Sequence, residues 1–235
     1  MKKGYGQFCP IAKASEVLGE RWTHLVIREL GAGSETFNDL RRGLPLMSPS
    51  LLSKRLKSLQ AAGVVARDEG QAGVRYTLTE AGLELKPILR ALGTWGQRWA
   101  RGLGSKDPDP SLLMWDIHRT MDASYFGIGR TVLLFEFTDY TSQFRRWWLV
   151  VDGEAGEADV DVCLKDPGHE VDLHLITDLE SLTGLWMGEI RYNQAVRSKR
   201  LIMHGPGKLK KDIRRWLGTN FFADVESAAE NPGLV

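Results

Sequence analysis

The 235-residue sequence predicts two domains, a mainly α unit closed by a β-hairpin and an α+β unit built on a mostly antiparallel sheet. Three observations carry this. Apolar residues recur at helical spacing in the first half and alternate at period two in the second. Between the halves, Gly102-Leu103-Gly104-Ser105-Lys106-Asp107-Pro108-Asp109-Pro110 is rich in Gly and Pro and has no period, as in a linker. The charge also changes sign. Residues 1–104 hold 16 Lys+Arg against 9 Asp+Glu, net +7, whereas residues 105–235 hold 15 against 21, net −6, so the balance of +1 conceals two opposed halves. The expected limits are therefore 1–104 and 105–235, with only the first suited to a polyanion.

Composition narrows the function classes. At 43% hydrophobic and 26% charged the chain is ordinary globular protein. The longest apolar runs, Val132–Phe135 and Trp147–Val151, are far too short to cross a bilayer, so no membrane partner is expected. Charge at Met1-Lys2-Lys3-Gly4-Tyr5-Gly6 is followed by no apolar signal core, which points to the cytoplasm. Cys9 and Cys163 stand too far apart in sequence for a disulfide framework. His169 and His174 lack a third ligand, and neither a phosphate-binding Gly-rich loop nor a nucleophile elbow is present. No cofactor, metal or enzymatic activity is expected.

In the first half, Ile11, Ala14, Val17 and Leu18 predict one helix face, and Trp22, Leu25, Val26 and Leu30 a second. Thr36-Phe37-Asn38-Asp39 opens a third helix that turns Phe37, Leu40 and Leu44 inward. Ser48-Pro49 is a strong helix start, because the hydroxyl caps free N–H groups and Pro suits the first helical position. That helix runs to about Ala62 and buries Leu52, Leu56 and Leu59. Ser50, Ser53, Lys54, Lys57 and Ala61 fall on one opposite stripe, small and basic with no acid. Such a face suits the DNA major groove, since small residues permit close approach and Lys meets phosphates or base acceptors. An ordinary solvated face is the alternative.

Val64–Arg67 and Val74–Leu78 read as strands flanking the polar tip 68–73. Three helices followed by a hairpin is the winged-helix order. Arg67 and Arg75 on the wing, and Arg41 before it, are candidate phosphate contacts, although Asp68 and Glu69 argue against deep insertion. Leu85, Ile88, Leu92, Trp95 and Trp99 form a seam spaced for helix pairing, read as a dimer contact, with the domain's own core as the alternative.

A family resemblance now becomes specific. It rests on Cys9-Pro10-Ile11-Ala12, Gly19-Glu20-Arg21-Trp22, Arg28-Glu29-Leu30, Phe37-Asn38-Asp39-Leu40-Arg41-Arg42, Met47–Leu56 and Tyr76-Thr77-Leu78-Thr79-Glu80-Ala81-Gly82. Roughly residues 5–101 resemble HxlR-type winged helix-turn-helix regulators of transcription. The resemblance implies a homodimer on a palindromic or near-palindromic double-stranded DNA operator. It places the recognition helix on Ser48–Gln60, with Ser48, Ser50, Ser53, Lys54 and Lys57 as DNA-facing residues. It also aligns Cys9 with a cysteine that senses oxidants or electrophiles in some relatives. Lys13, one turn on, is placed to lower the thiol pKa; a small packing residue is the other reading of Cys9.

In the second half, a helix over Leu112–Met121, strands at Thr131–Thr138, Trp147–Val151, Ala158–Leu164 and Val171–Ile176, a helix from Asp178 and a last helix Lys208–Leu217 are expected. The order, together with Leu182–Glu189 and Ala195–Gly205, resembles the sterol-carrier-protein fold, with Lys199 where relatives more often have Gly. That fold implies a cavity for a small hydrophobic effector, with Trp115, Phe135, Phe137, Trp148, Trp186 and Met187 as candidate lining or plain core. The expected function is a dimeric DNA-binding regulator responsive to such an effector. Alternatives are a hydrophobic-ligand carrier with an autoregulatory DNA-binding domain, or a redox-sensing regulator acting through Cys9. Asp159, Asp161, Asp172 and Asp178 read as solvent-facing strand positions rather than paired acids. Lys208, Lys210, Lys211, Arg214 and Arg215 read as a solvated helix face, with attraction to an acidic partner or a membrane surface as the alternative.

Overall fold

Proline and capping hydroxyls set where the first helices begin. The computed structural model describes residues 4–71, 73–100, 109–141, 143–154 and 157–228. The chain divides into two units, Met1–Trp95 and Gly96–Val235, which are taken separately below. The expected linker and domain limit fall mostly within 101–108, outside the described residues.

In the first unit, α1 (Pro10–Leu18) starts on its proline, yet none of its residues is buried. The expected inward face is thereby corrected: Ile11 is 76% exposed, and only Leu18 packs partly on the core. Helix α2 (Thr23–Gly31) turns Val26, Ile27 and Leu30 inward while Leu25 stays exposed. Helix α3 (Phe37–Gly43) is capped by the Thr36 hydroxyl, which accepts from the Asp39 N–H at 3.2 Å. Helix α4 (Pro49–Ala61) is capped by Ser48, whose hydroxyl accepts from the Leu51 N–H at 3.3 Å. Gly63 ends it in the left-handed conformation (φ 73°) that glycine adopts without a Cβ clash. Strands β1 (Val65–Gly70) and β2 (Gly73–Leu78) form the antiparallel wing, and the Tyr76 N–H donates to the Glu35 carbonyl at 2.8 Å.

One core holds these elements, with Leu40, Leu52, Leu56 and Leu59 almost fully buried. Each contributes roughly 1.5–3 kcal/mol of apolar burial. Short α5 (Glu80–Leu83) leads into α6 (Leu85–Trp95), where Leu85 and Leu89 touch that core. Ile88, Leu92 and Trp95 face outward at 55%, 48% and 57% exposure. The expected seam is thus partly corrected. Leu85 serves its own unit, and Trp99 lies beyond a change of pitch, because Gly96–Ala100 winds as a π-helical turn and breaks the α spacing.

The second unit is a five-stranded mixed sheet in the order β5-β4-β3-β6-β7. Its strands are β3 (Gly129–Phe137), β4 (Arg146–Glu154), β5 (Glu157–Cys163), β6 (Leu173–Thr177) and β7 (Leu201–His204). Only the β3–β6 pairing is parallel. Helices α7 (Pro110–Thr120), α8 (Leu179–Trp186), α9 (Tyr192–Arg197), α10 (Gly207–Lys211) and α11 (Ile213–Leu217) complete it. The last expected helix is two helices, parted at Asp212. Asp109 and Asp178 cap α7 and α8, accepting from Ser111 N–H at 2.8 Å and Ser181 N–H at 2.7 Å.

The main core joins Leu133, Phe135, Phe137, Leu149, Leu173 and Leu175 of the sheet to Met114, Ile117, Leu182 and Trp216 of the helices. A smaller cluster of Val132, Leu134 and Trp148 occupies the opposite face. Both faces of β3 are buried, which accounts for its unbroken apolar run.

Candidate nucleic-acid interface

The stripe on α4 exists as spaced in the sequence. Ser50, Ser53, Lys54, Lys57, Ser58 and Ala61 line one open surface, and no acidic side chain interrupts it. Neither lysine forms an ion pair with any described residue, so both charges are available to an incoming anion. Ser48 is committed to the cap, and its hydroxyl also lies 3.3 Å from that of Ser50.

What holds α4 in place was less visible in the sequence. Arg55 is 7% exposed, donates from Nε to the Arg21 carbonyl at 3.0 Å and pairs with Glu20. It thus ties the middle of α4 to the turn before α2. Glu29, wholly buried on α2, accepts from Arg28 Nη2 at 2.6 Å and from the Ser34 hydroxyl at 3.3 Å. A Cβ at Gly43 would lie 1.8 Å from its Oε2, so a side chain where α3 ends would displace this buried carboxylate from its present position. Buried, hydrogen-bonded charges of this kind fix geometry more surely than they add stability.

The remaining expected DNA contacts are placed differently. Arg41 is exposed on α3. Arg67 pairs with Glu69 at 2.9 Å and Arg75 with Glu35 at 2.7 Å, so the wing arginines are already engaged within the unit. Exposed pairs of this type are worth little and can exchange for phosphate. Cys9 immediately precedes α1 and is half-buried. Lys13 does not serve it: its ammonium lies 3.2 Å from Glu16, whose carboxyl is held below its ordinary range by that hydrogen bond and by the Tyr5 N–H.

In the second unit the six candidate lining residues do not surround one space. Phe135, Phe137 and Trp186 are packed in the main core with Met187 against them, whereas Trp148 lies on the opposite sheet face. Trp115 is buried and stacks on His118 with centroids 4.6 Å apart. Period-two alternation alone could not assign a sheet face to strands buried on both sides. A depression of about 430 Å³ opens instead beside Gln143, Arg145, Arg146, Trp148 and Leu164.

Near it, the Glu136 carboxylate accepts from Arg145 Nη2 at 2.7 Å and Arg146 Nε at 3.3 Å, with His174 Nε2 at 3.2 Å. Burial acts to raise the Glu136 pKa; the two guanidinium groups outweigh it and hold the carboxyl below the usual range. His169 lies 2.8 Å from Arg130, far from any metal-like arrangement, and no group of three metal-ligating side chains occurs among the described residues. No described helix is long and apolar enough to cross a membrane.

Comparison with known proteins bears on the first unit. The model of the HxlR-like helix-turn-helix family matches residues 17–103. The uncharacterized HTH-type transcriptional regulator YvaP of Bacillus subtilis is 37% identical over 111 residues, covering 46% of this chain and 95% of that protein. The uncharacterized HTH-type transcriptional regulator sll1512 of Synechocystis is 36% identical over 97 residues, covering 40% and 72%. Among solved structures, the reduced form of YodB from B. subtilis is 29% identical, covers 42% of this chain and 100% of its own, and has a TM-score of 0.37.

Proposed function

The chain belongs to the HxlR-like helix-turn-helix family through residues 17–103, and from that premise we propose that it is a DNA-binding regulator of transcription acting as a homodimer. The observation that carries this reading is the α4 stripe: an acid-free surface of small and basic side chains on a helix fixed from behind by Arg55. Lysines there meet phosphates, and Ser50 and Ser53 let the helix approach base edges. The relatives' names, all HTH-type transcriptional regulators, support the same reading.

Dimerisation rests on apolar surface that the first unit leaves uncovered. Phe8 is 98% exposed, and Ile11 on α1 and Ile88, Leu92 and Trp95 on α6 join it. A two-fold dimer sets its recognition helices about one DNA turn apart, ~34 Å. Hydroxyl-radical footprinting on the DNA upstream of the coding sequence tests this. Two protected tracts one turn apart are expected; a single tract, or none, removes the proposal.

The second unit completes the reading as an effector-binding domain; the resemblance to the sterol-carrier-protein fold suggests this, and a sheet packed against helices supports it. The opening that favours an effector is the depression beside Trp148, and the arginines at its rim suit an amphiphilic anion better than a wholly apolar molecule. Coupling requires that the effector prefer one DNA-binding geometry over another. A medium-chain fatty acid such as dodecanoate serves as probe. It should raise the melting temperature of the wild type and not of Arg146→Gln, and an unshifted wild type discards this site.

A further inference from the structure

The second unit is acidic overall, but its charge is sharply segregated. Residues 191–215 contain nine Lys and Arg against a single acid, Asp212, a local net of +8. The rest of 105–235 holds 6 basic and 20 acidic residues, net −14. The basic segment is one continuous piece of structure: α9, the edge strand β7, α10 and α11. Ala195 of α9, Leu201 of β7 and Ile213 of α11 are buried in the same core, with Tyr192 and Leu209 packed against it, so the four elements are seated side by side on one support. Arg191, Arg197, Lys199 and Arg200 are all exposed, as are Lys208, Lys211 and Arg214. Among the described residues only Arg215 is paired, with Asp212 at 3.4 Å, and no described acid neutralises the others.

Lys199 adds an independent sign. It holds a left-handed backbone (φ 59°), a conformation that glycine adopts at lower cost. The turn costs the lysine conformational energy and leaves its charge at the surface.

We propose that the surface formed by residues 191–215 is a second, sequence-independent DNA-binding face, which grips duplex phosphates while α4 reads bases. This rests on the DNA-binding reading only for the identity of the polymer. Clustered, unpaired cations with no projecting reading element suit phosphate contacts, which give affinity and salt dependence without sequence preference. The large negative remainder of the unit repels DNA elsewhere and so orients the basic face toward it. A lipid surface fits less well. Amphipathic helices that bind membranes bury an apolar face in the acyl boundary, but Ile213, Trp216 and Leu217 of α11 are already in the protein core. Tethering two DNA-binding faces in one chain raises the effective concentration of the second once the first is bound.

The test uses the full chain carrying Lys208→Gln, Lys211→Gln and Arg214→Gln, all exposed positions, with Arg191→Gln plus Arg197→Gln as a second variant should the first fold poorly. Binding to a mixed-sequence duplex of about 40 base pairs is followed by anisotropy across ~50–200 mM salt. The triple variant should bind about 10-fold more weakly at low salt, with a log–log salt slope shallower by about 2–3, from the loss of three phosphate contacts. Its preference for the upstream DNA over mixed sequence should remain. Lys54→Gln plus Lys57→Gln should instead lose that preference, which separates failure of the α4 reading from failure of this one. Unchanged affinity and slope in both surface variants overturn the proposal. So does unchanged DNA binding combined with lost binding to phosphatidylserine vesicles, which would assign the face to membranes.

Discussion

The two units solve the problem of apolar surface in opposite ways. The second unit buries Phe135, Phe137, Met114 and Trp216 completely, and its exposed apolar side chains, such as Ile128, Leu164, Val196, Ile202 and Phe221, are scattered over separate elements. The first buries Leu52, Leu56 and Leu59 but leaves Phe8, Ile11, Ile88, Leu92 and Trp95 in solvent. Scattered apolar side chains at a surface need no explanation, whereas the set on α1 and α6 is the surface that the proposed dimer would cover. Core substitutions in the second unit should therefore act through folding, and surface substitutions on α6 of the first through association.

The strongest way to break that contrast is at the closed core. Trp216→Ala removes a fully buried ring whose Nε1 donates to the Leu209 carbonyl at 2.8 Å, and should cost about 3–5 kcal/mol in denaturant unfolding. Its effect on mass in solution, at concentrations where it remains folded, should be nil. A loss of only a few tenths of a kcal/mol would mean that this core is not closed.

Next in size is the open face. Ile88→Glu with Leu92→Glu should leave the unfolding midpoint nearly unchanged, yet shift light scattering from dimer to monomer mass. Loss of the second half-site should weaken binding to upstream DNA by about 100-fold. Dimer mass retained by the double variant would place the interface elsewhere.

A smaller effect concerns pH. Glu136 is held ionised by Arg145 and Arg146 in the folded state, so its folded pKa lies below its unfolded one. Its contribution is present above the unfolded carboxyl pKa of about 4.3 and is lost as pH falls through the folded value. Stability of the second unit should therefore drop in acid in the wild type, and more shallowly in Glu136→Gln. Parallel pH profiles for the two proteins would contradict the assignment. Least of all, Lys199→Gly should stabilise by about 1 kcal/mol, because it relieves the left-handed residue while slightly weakening DNA binding. Stabilisation with DNA affinity fully retained would detach Lys199 from the basic face.

The winged-helix order, the Ser48 cap and the acid-free stripe could be read directly from the sequence, because each depends on local spacing and capping chemistry. Misreadings arose where distant groups decide the outcome. Periodicity on α1 reports an amphipathic helix, not which side is covered, and Ile11, which that period turns inward, lies outside. The engagement of Arg75 depends on Glu35, 40 residues away in the chain, and the anchoring of Arg55 on Glu20 and the Arg21 carbonyl. Strand β7 and helix α9 are too short, at 4 and 6 residues, to show a period. The lining set divided because neighbouring strands buried on both faces give alternation no polar side to count from. Segregation of charge inside the second unit was visible in the sequence, but only the fold seats α9, β7, α10 and α11 on one core.

The central claim, that α4 carries the DNA contact, is tested most directly by a salt titration of binding to the upstream DNA, wild type against Lys54→Glu plus Lys57→Glu. Affinity for the wild type should fall linearly on a log–log plot as salt rises, and the double variant should lose specific binding at every salt concentration. Binding that ignores salt, or that survives in the double variant, would contradict it.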